Sequence, residues 1–407
     1  MTVSSMHGIV KMPRGVGRGE RPDLKKEESG MRIALVGAGA MGTIIGALIA
    51  RAGEDIVLVD VNEPHVEALN EKGARIVGHM DLTVPVRAVT PDGMEGLYDL
   101  VIYLVKTVYD DKALPQILPF IGEGSVVITL QNGVPEERVA SVVGRERTLG
   151  GAIGWGATFI GPGVSELTYA PEEMTYDIGE MDGSLTERVQ AVKRVLDHAG
   201  KADITDNLVG TRWTKLMVNV SMSGLSSALN CTYGDILDND KATVAAISIM
   251  VETLLTARAL GITMQPIKGV DPNFILDVIR ESEENAVNVI RMVYERSREQ
   301  VASMLQDLRK GIPCEVETLN GYLERKSAEA GVPTPVNDKV AEIIRGIEAG
   351  RYPLSFDNLD MIEGHSPRRL IREGRSRRNR RGGARRKRDV SGHLMEVSGK
   401  AKEGREV

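Results

Sequence analysis

Residues 32–60 read RIALVGAGAMGTIIGALIARAGEDIVLVD. An apolar strand pattern runs into Gly37, Gly39 and Gly42, a helical pattern follows, and a second apolar strand ends at Asp60. Gly37 permits the tight turn after the strand, Gly39 lets a pyrophosphate approach the backbone, and Gly42 lets helix and strand pack closely. The start of the helix then offers free N–H groups and the positive end of its dipole to the phosphates. The glycines alone carry little weight, but strand, turn, helix, second strand and terminal acid in one unit predict a dinucleotide-binding βαβ. Gly37, Ala38, Gly39, Ala40, Met41 and Gly42 are therefore the expected cofactor contacts. Asp60 is the expected partner of the ribose hydroxyls.

The strand-and-helix alternation continues outward from this unit. A helix is predicted over 63–72, a buried strand over 99–105, a helix near 108–120 and a strand over 125–130. Ligands of open α/β sheets bind beyond the carboxyl ends of the strands, where Lys106 and Asn132 fall. Strand patterns near 148–160, 164–169 and 174–178 precede a helix over 184–198. From Asp206 the texture changes to helical periodicity, with helices predicted over 207–230, 240–260, 271–281, 283–310, 313–330 and 335–349. The expected architecture is an α/β Rossmann-type domain over 31–206 followed by an all-α domain over 207–356. A disordered leader (1–30) and a disordered basic tail (365–407) flank them.

Of the 407 residues 42% are hydrophobic, enough for large cores. The formal net charge of −6 hides opposed regions, since residues 365–407 hold 15 basic and 5 acidic residues while 31–364 hold 30 and 48. Residues 368–388, RRLIREGRSRRNRRGGARRKR, have too little apolar content to repay ordering, and no aromatic residue is interleaved for base stacking. They read as a solvated tail rather than a nucleic-acid site. The apolar runs are short and broken by charge, so no membrane span or secretory signal is expected and a cytoplasmic location follows. Cys231 and Cys314 lack metal-type spacing and read as reduced packing residues; no metal site is expected. Lys26-Glu27-Glu28 ahead of Met31 fits a translated purine run, with Met31 as the natural start.

Reducing a ketone with a bound nicotinamide needs a group that protonates the forming alkoxide. The six histidines, His7, His65, His79, His198, His365 and His393, fall in tails, surface-type helices or turns, so none is a candidate. Lys215, Asn219 and Ser223 recur at i, i+4 and i+8, placing an ammonium, an amide and a hydroxyl on one face of an otherwise apolar helix. Such groups need partners or a ligand, and burial lowers a lysine toward neutrality, where it serves as a general acid. The competing reading is a solvated stripe on a half-exposed helix. Glu315, just after Pro313, is placed in the first turn of a helix, and on spacing alone the favoured reading is that it complements the dipole.

GAGAMG at 37–42, LVK at 104–106, QNG at 131–133, WTKLMVNVSMSGLSSAL at 213–229 and SMLQDLRKGIPCEVETLNG at 303–321 together resemble the ketopantoate reductase family, over roughly residues 31–350. The resemblance implies a cleft between the two domains and reduction of 2-dehydropantoate to pantoate, in pantothenate and coenzyme A biosynthesis. By position, Lys215 would protonate the keto oxygen, Asn132 would position the nicotinamide side and the lysine, and Lys106 would approach the cofactor. Asn219 would bind the substrate hydroxyl, Ser303 the carboxylate, and Glu315 the hydroxyl end.

Two departures stand out. Ser223 occupies the place of a usual second asparagine, which admits a different branched 2-oxo acid. Asp60-Val61-Asn62 stands where the family commonly carries a basic residue for NADPH, and a carboxylate there favours NADH. A helical C-terminal domain also makes a homodimer an expectation. A competing reading of another class is a non-catalytic dinucleotide-binding protein whose basic tail binds nucleic acid.

Overall fold

The computed structural model describes residues 30–266, 270–362 and 366–372. The expected leader and all of the tail beyond residue 372 lie outside the described residues.

Twelve strands are described: β1 (Arg32–Val36), β2 (Asp55–Val59), β3 (Ala74–Gly78), β4 (Leu82–Val84), β5 (Arg87–Val89), β6 (Tyr98–Tyr103), β7 (Ile121–Thr129), β8 (Thr148–Ile153), β9 (Ala157–Gly161), β10 (Val164–Leu167), β11 (Thr175–Glu180) and β12 (Lys201–Ile204). Eight form one sheet in the order β12-β11-β8-β7-β6-β1-β2-β5. It is parallel from β5 through β8, and β11 and β12 run the other way. Strands β1 and β6 are covered on both faces, which is why they read as nearly continuous apolar runs. A second sheet, β4-β3-β10-β9, was not anticipated as a unit, because its strands are short and only half-buried.

The helix Ala40–Arg51 packs against β2 of the large sheet and against β9 and β10 of the small one. Every residue from Gly42 to Ile49 is consequently buried, a wider apolar surface than a one-sided helix needs. The helix Glu63–Lys72 matches its predicted span and shows why. Asn62 Oδ1 accepts from His65 N at its start, a proline follows in the first turn, and Gly73 ends it at φ +78°.

Beyond Ile204 the chain is helical, and four expectations need correction. The predicted helix 207–230 is Leu208–Val218, a π-helical turn Asn219–Ser223, and Gly224–Leu229. The predicted helix 283–310 is broken, with Glu283–Tyr294 and Ser303–Lys310 separated by a turn and an extended link. Residues 313–319 are not helical, so Glu315 is not in a first turn; that helix starts at Asn320. Residues 366–372 are ordered instead of belonging to a disordered tail. Leu370 and Ile371 are buried in the helical core, and Arg368 donates to the terminal carbonyls of Ile279, Arg280 and Glu281.

The helix Asp240–Ala259 is long and apolar enough to cross a membrane, but 78% of its apolar window is buried by surrounding helices. It carries Glu252, fully buried, whose two oxygens accept from Val336 N and Asn337 N, each at 2.9 Å, at the start of the helix Pro335–Glu348. Cys231 and Cys314 are both unpaired and buried in this core. Replacing Glu252 with alanine leaves two buried donors unmet and is expected to lower the unfolding free energy by about 2–4 kcal/mol. Urea denaturation checks this, and a loss under about 0.5 kcal/mol, the range of an ordinary surface change, contradicts it.

Candidate active site

A cleft of about 1970 Å³ opens over the carboxyl ends of β1, β2, β6 and β7 and is closed on its far side by helical-domain residues. It exceeds the about 300–1,000 Å³ of an ordinary small-molecule pocket. One end is the glycine turn. Gly37 N donates to Val59 O at 2.8 Å with φ +96°, and a Cβ on Gly42 would stand 2.2 Å from Gly37 O, so helix and turn touch there. No side chain caps the helix at Gly39, and a Cβ on Gly39 would meet only open space. That surface fits a phosphate approaching the backbone.

Gly37, Gly39, Ala40, Met41, Gly42 and Asp60 line the cleft. Ala38 departs from the expected role. Its side chain is fully buried, its N–H goes to Val59 O, and its carbonyl accepts from Thr43 and His65. His65 is likewise not a surface residue. Its Nδ1 accepts from Gly163 N at 2.8 Å, so Nε2 carries the proton given to Ala38 O, bracing the turn from behind. His7, His365 and His393 lie outside the described residues.

At the other end the two domains supply one hydrogen-bonded cluster. Glu315, 4% exposed, accepts from Thr107 N at 3.3 Å, Thr107 Oγ1 at 3.1 Å and Asn132 Nδ2 at 3.1 Å. Lys106, at the end of β6, pairs with Asp307 on the helix Ser303–Lys310. Gly133 completes the approach: at φ +78° it brings the strand-end loop so close that a Cβ would lie 2.7 Å from Thr318 O. Ser303, exposed, opens its helix and lines the cleft.

Lys215, Asn219 and Ser223 all line the same cleft, although the π-turn breaks the even α-helical stripe inferred from their spacing. Such turns recur where a side chain is re-aimed at a site. Lys215 Nζ donates to Ile153 O at 2.9 Å. Burial pushes its ammonium down to about 7; the Arg212 charge adds to this, and Glu315 and Asp177 oppose it. Asn219 Nδ2 is buried without a hydrogen-bond partner, whereas the Ser223 hydroxyl is committed to Tyr233 Oη at 2.7 Å. Thr107 and Arg212 were missed. Adjacency of Thr107 to Lys106, and a lone arginine three residues before Lys215 on a buried helix, were the available signals.

Both domains match models of one family. Residues 33–183 match ketopantoate reductase PanE/ApbA, and residues 207–348 match its C-terminal domain. The chain belongs to the ketopantoate reductase family. This is a family of NAD(P)H-dependent oxidoreductases. The 2-dehydropantoate 2-reductase of Archaeoglobus fulgidus is 30% identical over 321 residues, covering 78% of this chain and 98% of its own length. That of Pyrococcus horikoshii is 29% identical over 322 residues, with the same coverage. Among solved structures, 2-dehydropantoate 2-reductase from Geobacter metallireducens superposes with a TM-score of 0.68 at 28% identity, covering 77% of this chain and 99% of that one. D-mandelate dehydrogenase, solved with NADH and anilino(oxo)acetate, shares the fold with a TM-score of 0.68 at 24% identity, covering 79% and 99%.

An amine lowered to about 7 titrates in a range that surface lysines do not reach. Lysine-selective NMR of the apo protein is expected to show one ammonium with a midpoint near 7, lost in Lys215→Met; if every lysine titrates above about 9.5, the burial argument is wrong.

Proposed function

We propose that the chain is a 2-dehydropantoate 2-reductase, converting the ketone of 2-dehydropantoate to the hydroxyl of pantoate on the route to pantothenate and coenzyme A. The observation that carries this is the placement of Lys215, its pKa held at about 7, in the one cleft that also contains the glycine turn and the Asn132–Glu315 pair. The glycine turn at Gly37, Gly39 and Gly42 would hold a nicotinamide dinucleotide, which would supply the hydride for the ketone carbon. Lys215 gives its proton to the keto oxygen as that bond forms, and regains it from solvent afterwards. A donor whose pKa lies near the working pH is present in its acid form and still releases the proton readily.

Other side chains divide the remaining tasks. Asn132, held by Glu315, would position the nicotinamide side and the lysine, and Lys106, held by Asp307, would approach the cofactor. The unpartnered Asn219 Nδ2 fits the substrate hydroxyl, Ser303 the carboxylate, and Glu315 the hydroxyl end. Asp60 Oδ1 accepts from Asn62 N at 3.0 Å, which fixes the carboxylate at the end of β2. There it would accept from the ribose hydroxyls of a bound dinucleotide and repel a 2′-phosphate, which favours NADH as the reductant. A cytoplasmic location belongs to the same reading.

One observation favours a second substrate. The Ser223 hydroxyl is spent on Tyr233, so that wall offers a hydroxyl pair instead of an amide and suits another branched 2-oxo acid. Comparison of kcat/KM across a 2-oxo acid panel separates the two. A passive dinucleotide sensor, by contrast, has no need of Lys215, Asn219 and Glu315 in one cleft.

Steady-state reduction of 2-dehydropantoate tests the proposal. Lys215→Ala is expected to lower kcat by about 10²–10⁴-fold with the fold intact, and turnover within about threefold of the parent removes the mechanism. With the parent enzyme, NADH is expected to give at least about tenfold higher kcat/KM than NADPH, one unmet like-charge contact being worth that much or more. Equal values, or NADPH ahead, contradict the role given to Asp60.

A further inference from the structure

Arg212 does not line the cleft and acts on Lys215 only through its charge, yet it is wholly buried and its fork crosses from one domain to the other. Nη1 donates to Gln131 O at 2.7 Å, Nη2 to Thr129 O at 3.0 Å, and Nε to the Glu136 carboxylate, itself 4% exposed. The two carbonyls belong to the end of β7 and to the residue preceding Asn132. Three residues along the same helix stands Lys215, a spacing that puts both on neighbouring positions of one helical face. We infer that Arg212 is a positioning residue, tying the helix that bears Lys215 to the strand-end loop that bears Asn132 and so fixing the proton donor against the cofactor side of the cleft.

The loop it grips is rigid in its own right. Gln131 Nε2 donates to Val105 O at 2.7 Å and Asp110 Oδ1 at 2.8 Å, Gln131 Oε1 accepts from Thr129 Oγ1 at 2.9 Å, and Asp110 accepts from Tyr103 Oη at 3.0 Å. Lys106 and Thr107 follow directly on Val105. One buried network therefore joins the Lys106-Thr107 end of β6, the Asn132 end of β7 and the Lys215 helix. An apolar side chain would fill the same space without desolvating a charge. What only a planar fork provides is three directed bonds that fix the helix both along and about its axis. The same cation, fixed near Lys215, lowers the ammonium it faces. Misplacing a reacting group by about 1 Å costs on the order of 10²-fold in rate, so a clamp of this kind is read in kcat.

The inference rests on Lys215 being the proton donor. Three variants are compared in the full-length enzyme: Arg212→Lys, which keeps the charge but cannot span three acceptors; Arg212→Met with Glu136→Gln, which removes both charges; and Glu136→Gln alone as the mildest change. Thermal melting establishes that each is folded, and fluorescence titration measures NADH binding. With 2-dehydropantoate and NADH, kcat is expected to fall at least about tenfold in Arg212→Lys and in the double variant, and about threefold in Glu136→Gln, while NADH affinity and KM change less than about threefold. In this direction Lys215 must be protonated, so kcat/KM declines above its pKa. Of the two charges the double variant removes, the one that acts on Lys215 is the Arg212 cation, while Glu315 and Asp177 stay in place, so the pKa rises and the alkaline limb of kcat/KM is expected to move to higher pH there while staying in place in Arg212→Lys.

A kcat within twofold of the parent in a folded Arg212→Lys or double variant overturns the inference, as does a loss confined to NADH affinity. Should the arginine variants not fold, an unchanged kcat in Glu136→Gln overturns it and a threefold fall upholds it. Full turnover in Lys215→Ala defeats the reading of the lysine itself, whereas an inactive Lys215→Ala beside fully active arginine variants defeats only the clamp.

Discussion

Polar groups buried where the two domains meet must find their partners on the opposite side, because water cannot serve them there. Glu315 is satisfied by Thr107 and Asn132, Arg212 by Thr129, Gln131 and Glu136, and Asp307 by Lys106. Each half of the chain is thereby incomplete without the other. The cost of leaving any of these groups unpaired sets the docking of the helical domain on the sheet more sharply than apolar contact could, since apolar contact tolerates sliding. Backbone contact at Gly133, where only a hydrogen fits under Thr318 O, gives the same docking a steric limit.

The chemistry follows from that docking. The sheet contributes what a parallel sheet offers generically: strand ends, a glycine turn and the start of a helix. None of these discriminates one substrate from another. The helical domain brings a lysine whose charge is disfavoured by burial, an amide left without a partner, and a hydroxyl already matched to Tyr233. Under the proposed function, cofactor binding and substrate choice fall to different halves, and their shared boundary is the reaction site.

Much of this was legible in residue order. The unit ending in Asp60 combined two periodicities and a glycine spacing that few other structures require, and Asn62, Pro64 and Gly73 marked the following helix to the residue. Lys215 and Asn219 were visible because charge and amide interrupt an apolar helix. What was hidden depended on distant partners. Glu315 follows a proline and reads as a helix start, yet its first helical turn is displaced to Asn320 because its carboxylate is drawn to the sheet domain. The π-turn at Asn219–Ser223 leaves no mark on composition. Arg212 gave no sign of the distant carbonyls it reaches, His65 fell on a surface-type helix, and the pair Leu370-Ile371 was too brief against a basic background to signal its burial in the helical core.

The central claim is a spatial one: the ammonium of the helical domain faces the reacting carbon–oxygen bond while the dinucleotide lies on the glycine turn. A crystal structure of the enzyme with NADH and a non-reactive 2-oxo acid analogue measures this directly. The account predicts Lys215 Nζ at about 2.7–3.2 Å from the oxygen on C2, released from Ile153 O, with the pyrophosphate over Gly39. A complex in which that oxygen meets a different donor, while Lys215 stays on Ile153 O, would contradict it.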